Sequence, residues 1–92
     1  MIELDQLRSP NYSKNLAYVK GAYPCVVCGK PVPNPRYMVH LHGGGGVLVT
    51  EEELPALLQS GELTENADLY FYPIGQDCLR QHPELKPYAR KQ

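Results

Sequence analysis

Hydrophobic positions in this chain come in short runs, most of them closed by a glycine or a proline. Ile2, Leu4 and Leu7 precede Ser9-Pro10-Asn11, which predicts a short element and then a loop within an N-terminal segment of residues 1–14. Leu16, Tyr18 and Lys20 alternate with Ala17 and Val19 ahead of Gly21 and Pro24, a period that predicts a strand. Prolines at 31, 33 and 35 exclude regular structure there and predict a stiff, extended connection. Arg36-Tyr37-Met38-Val39-His40-Leu41-His42 and Val47-Leu48-Val49 are rich in strand formers and flank Gly43 to Gly46, so they predict a β-hairpin with a mobile glycine tip.

After Val49 the period changes. Thr50-Glu51-Glu52-Glu53 is a capping box, in which the threonine oxygen accepts the amide of Glu53 and the Glu53 carboxylate reaches back. A helix over 51–60 follows, with Leu54, Leu57 and Leu58 as its apolar stripe and Gly61 suited to a left-handed cap. Pro55 removes the first intrahelical bond and predicts a bent or tight first turn. Leu63 to Asp68 reads as loop, and Leu69 to Tyr72 as a short strand ended by Pro73. A helix of about two turns then starts near Gln76 or Asp77 and ends at His82, because Pro83 biases that residue away from helical dihedrals. Residues 84–92 add a turn at most, with 86–92 expected to fray.

Ninety-two residues fit a single domain, 1–92, whose thin core needs a staple. Three cysteines cannot all pair, and the first residues lack the basic and apolar regions of a secretory leader, so the expected compartment is a reducing cytoplasm. No apolar run approaches the roughly 20 residues needed to span a bilayer as a helix. Net charge is only -1, but it is segregated. Residues 1–40 carry five Lys/Arg against two Asp/Glu, residues 41–77 carry seven acids and no base, and residues 78–92 carry four bases against one acid.

The staple suggested by the residues is a metal. Cys25-Val26-Val27-Cys28-Gly29 places two sulfurs on one side of a tight turn, with the glycine free to take positive φ. The remaining cysteine, Cys78, is followed by His82, and i and i+4 share a helix face. Cys25, Cys28, Cys78 and His82 thus form a candidate Cys3His site for one structural zinc ion, closed by a 49-residue excursion. His40 and His42, two apart on a strand, share a face, and His42 is the substitute ligand if Pro83 pulls the His82 ring off line. A thioredoxin-like redox pair is disfavoured, because Pro31, Pro33 and Pro35 block the helix that it needs.

The order of knuckle, hairpin and ligand-bearing terminal helix resembles a treble-clef zinc finger over residues 23–85. Cys25 to Lys30 is similar to its knuckle, and Tyr72 to His82 is similar to the tail segment of small treble-clef proteins of bacteria, their phages and mobile elements. The resemblance implies an α+β fold organised by zinc, here with an inserted helix between hairpin and terminal helix. Treble clefs serve protein, DNA, RNA and catalytic roles alike. His42-Gly43-Gly44-Gly45 lacks the partner motifs of an esterase, and the glycine run lacks the spacing of a phosphate loop. Four protein ligands leave no open position for a metallohydrolase. A His-Asn-His nuclease would use His40 or His42 as base but lacks its partner on the terminal helix. The expectation is a non-catalytic zinc-binding interaction module with a protein partner, with a nucleic-acid partner as the alternative, since nine basic residues at net -1 supply little phosphate-driven affinity.

Overall fold

In the computed structural model residues 1–43 and 46–91 are described, so Gly44 and Gly45 of the expected glycine tip, together with Gln92, lie outside the described residues. The sheet is built around β2 (Tyr37–His42), whose aromatic, β-branched and long apolar side chains suit a pleated surface covered on both faces. The hairpin forms as the pattern predicts: β3 (Val47–Val49) runs antiparallel to β2 with His40 opposite Val49, Leu41 opposite Leu48 and His42 opposite Val47. On the other edge of β2 lies β4 (Phe71–Ile74), with Tyr37 opposite Ile74 and His40 opposite Phe71. A short β1 (Ile2–Glu3) continues the sheet beyond β3.

Alternation along β2 sorts its side chains. Val39 and Leu41 join Leu48, Ile74, Leu4, Leu85 and the knuckle residues Val26 and Val27 in one buried cluster. His40 and His42 point to the opposite face, and both are buried there. Each fully buried Leu or Ile side chain in the cluster contributes about 1.5–3 kcal/mol of transfer free energy.

Several expected elements differ. Residues 16–20 form no strand; a short helix, α1 (Tyr12–Leu16), precedes them, and Leu16 and Tyr18 are exposed. The turn at Ser9 decides this, since its carbonyl takes the Tyr12 amide at 3.0 Å and its hydroxyl takes the Asn11 amide at 3.2 Å. The α1 helix then docks on the knuckle through Asn15 Nδ2, which donates to the Cys28 carbonyl at 2.8 Å. The inserted helix, α2, spans Leu54–Ser60 rather than 51–60. Its capping box does form, with Glu53 N–H donating to Thr50 Oγ1 at 3.2 Å and Thr50 N–H to Glu53 Oε1 at 2.9 Å. Pro55 accounts for the late start: it falls in the first turn of α2, where its missing donor has no partner to lose. Gly61 takes the left-handed cap at φ 82°. Leu54, Leu57 and Leu58 are half-buried, so the stripe covers the fold without entering the main cluster.

Strand β4 begins two residues later than expected and includes Pro73, opposite Met38. Proline is tolerated on this edge strand, where its carbonyl still accepts the Val26 amide at 3.2 Å. The terminal helix, α3 (Gln76–Gln81), ends at His82 with φ -124° and ψ 75°, as the following proline dictates. A 3-10 turn over Pro83–Tyr88 follows, and where fraying is expected Ala89–Lys91 forms β5. It pairs with the first half of β2, Tyr37 opposite Lys91 and Val39 opposite Ala89, beside β3 on the same edge. Local sequence could not show this, because the pairing depends on an edge left free by the short β3.

Candidate metal centre

The knuckle is held by its backbone. Cys25 N–H donates to the Lys30 carbonyl at 2.8 Å, and Gly29 N–H returns to the Cys25 carbonyl at 2.9 Å. Gly29 sits at φ 77°, and a Cβ there would meet the Tyr12 carbonyl oxygen at 2.4 Å, so both dihedral and space require glycine. The third cysteine arrives on α3, whose preceding Gly75 donates its amide to Cys25 Sγ at 3.2 Å. Val26 on the knuckle and Pro73 on β4 tie the two halves together through their backbone bond.

The sulfurs of Cys25, Cys28 and Cys78 consequently lie within 4.8 Å of one another, none in a disulfide, with Cys25 and Cys78 buried. The Cys78 thiol as donor lowers the Cys25 pKa to about 5, against the opposing effect of burial and with help from the Cys28, Gly75 and Val27 amides. The same contact raises Cys78, and burial raises it further. This chemistry suits a soft or borderline cation. Ligands about 2.3 Å from a common zinc ion sit about 3.8 Å apart in a tetrahedron, and an N–H···S bond such as that from Gly75 stabilises thiolate.

His82 lines the same open cleft as the three cysteines, but its imidazole is outside the group of mutually close ligand atoms. Its Nδ1 lies 3.4 Å from Glu84 Oε1 instead. His42, the substitute ligand, is not grouped with the sulfurs either. It stands with His40 and Asp68 in a second group, in which a nitrogen from each ring and a carboxylate oxygen lie within 4.8 Å of one another. His40 Nε2 is 2.7 Å from Asp68 Oδ1, and His42 Nε2 is 3.9 Å from Asp68 Oδ2.

Asp68 is delivered by the loop before β4. Leu69 N–H donates to the Leu41 carbonyl at 3.1 Å and Leu41 N–H to the Tyr70 carbonyl at 2.9 Å, which pins the loop beside β2. Tyr70 takes φ 63°, the sole positive value at a non-glycine among the described residues, and its amide donates to Asp68 Oδ1 at 2.7 Å. Burial pushes the Asp68 carboxyl up, but the Tyr70 amide, the His40 ring and the charge of both imidazoles outweigh it and hold the carboxyl below its ordinary value. The spacing of His40 and His42 signals one shared face; nothing in the sequence around Asp68 signals that it completes the group.

Basic residues from both ends of the chain also meet. Arg36, Arg80 and Lys86 line one cavity of about 280 Å³, although Arg80 is paired with Asp77. Among the described residues no helix is long and apolar enough to cross a membrane. Comparison of the chain with protein families, characterised proteins and solved structures finds no match.

Proposed function

We propose that this chain is a zinc-stabilised, non-catalytic interaction module of the treble-clef type. The observation that carries the reading is the convergence of three free cysteine sulfurs, two of them buried, from segments that pack as knuckle and helix. In this reading Cys25, Cys28 and Cys78 hold the ion and His82, on the same cleft, is the fourth ligand. Three thiolates and an imidazole leave no position for substrate, so the ion is structural. Zinc bound there would crosslink the knuckle to α3 through sulfurs that the Gly75 amide and the knuckle turn hold in place.

The partner in this reading is a protein. Tyr18, Tyr23 and Tyr70 are 68%, 66% and 73% exposed, which leaves aromatic area available for contact. The cavity lined by Arg36, Arg80 and Lys86 favours a second reading, in which nucleic acid is the partner. Native mass spectrometry of the purified chain tests the metal. Zinc should be retained by the wild type, and Cys25→Ser and Cys78→Ser should each lose the thiolate-bound ion and the fold with it. A chain that folds cooperatively with no metal overturns the proposal.

A further inference from the structure

His42 is 1% exposed, yet neither of its ring nitrogens makes a hydrogen bond among the described residues. Its Nδ1 has no partner, and its Nε2 faces Asp68 Oδ2 across 3.9 Å, beyond hydrogen-bond range. Buried polar groups are rarely left so. His40 is likewise buried, bonded to Asp68 through Nε2 alone, with Nδ1 unpartnered. An ionised carboxylate only accepts, so an Nε2 lone pair turned toward it is unfavourable unless a proton or a cation lies between. A proton serves His40 at 2.7 Å; at 3.9 Å it does not serve His42.

We propose that His40, His42 and Asp68 bind a second divalent transition cation, distinct from the one at the cysteines. Ligands about 2.0–2.1 Å from a tetrahedral ion lie about 3.3 Å apart, and the two observed separations fall on either side of that value. The two imidazoles select a borderline ion such as zinc rather than calcium or magnesium. A cavity of about 220 Å³ reaches His40 and is lined also by Thr50, Glu51, Glu52 and Arg90; Arg90 is paired with Glu51, which leaves the Glu52 carboxylate to favour an entering cation. With three protein ligands, the ion keeps at least one position open.

The test uses the full chain, titrated with zinc while the imidazole nitrogens are followed by NMR. The first equivalent fills the cysteine site; the second should shift the ring nitrogens of both His40 and His42 and leave His82 unmoved. Asp68→Asn should abolish the second step and leave the first unchanged. Unshifted His40 and His42 rings at two equivalents overturn the proposal, as does an Asp68→Asn protein that binds the second ion like the wild type. If Asp68→Asn does not fold, the wild-type titration decides alone. Because the readout is the two rings, a negative result here leaves the cysteine site standing, and loss of thiolate-bound zinc leaves this site to be judged by its own shifts.

Discussion

The two faces of the central strand carry two different kinds of ligand group. On the face of Val39 and Leu41, Cys25 and Cys78 belong to the hydrophobic cluster itself. On the face of His40 and His42, two buried imidazoles and the half-buried Asp68 carboxylate stand apart from that cluster. The cysteine group is tied into the backbone from both sides, by the knuckle turn, the Gly75 amide and the Val26–Pro73 bond. The imidazole group depends on one loop held over a strand. If both groups hold metal as proposed, the difference predicts that the first ion should be inseparable from folding, whereas the second should be removable with the fold intact.

Removing the metal should separate the two most sharply. Binding energy at a structural zinc site is on the order of 10 kcal/mol, comparable to the whole stability of a small domain. A strong chelator, or Cys78→Ser, should therefore abolish the cooperative unfolding transition followed by circular dichroism. Asp68→Asn should keep that transition. If both changes behave alike, the distinction between the faces fails.

Core truncation ranks next. Leu48 and Leu85 are fully buried in the cluster, so Leu48→Ala or Leu85→Ala should reduce stability by about 2–5 kcal/mol in urea unfolding. Leu57 and Leu58 lie on the apolar stripe of α2 but are half-buried, so Leu57→Ala should cost only about 1 kcal/mol. Equal losses would place α2 inside the core rather than over it.

How much was legible follows from these cases. The hairpin, the capping box, the Gly61 cap and the end of α3 are local chemistry, and the residues announce them. The Cys25–Cys28 pair is legible because knuckle spacing is a short-range signal, and Cys78 follows as the one cysteine left to join it. His82 is a matter of ring direction, which depends on Glu84 and the dihedrals before Pro83. Asp68 and β5 depend on long-range pairing with β2 and have no local signature. At residues 16–20 a strand-like alternation runs along exposed chain, because the Ser9 turn had already begun a helix.

A smaller effect concerns the acids of the insert. Glu51, Glu52, Glu62 and Glu65 are exposed, and neutralising all four should leave Tm nearly unchanged. The same protein should bind a protein partner more weakly but a polyanion more strongly, so parallel binding assays give opposite signs for the two partner classes. No change in either assay would reduce the insert to a structural part.

The smallest effect is a pH slope. Burial pushes the Glu53 carboxyl up, but the bonds from the Met1 amine and the Thr50 amide outweigh it and lower its pKa. A carboxyl lowered by folding contributes stability that is present above its unfolded pKa and lost as pH falls through the folded one. Glu53→Gln should therefore cost about 1 kcal/mol at pH 7, and the difference from wild type should shrink below about pH 4. A constant difference across that range would mean that the carboxylate charge contributes nothing.

The most direct test of the central claim is X-ray absorption on the chain loaded with one equivalent of zinc. Three sulfurs at about 2.3 Å and one nitrogen at about 2.0 Å are expected, with the sulfur count falling in Cys28→Ser. A first shell of nitrogen and oxygen alone in the folded wild type would contradict the assignment of Cys25, Cys28 and Cys78 as the structural metal site.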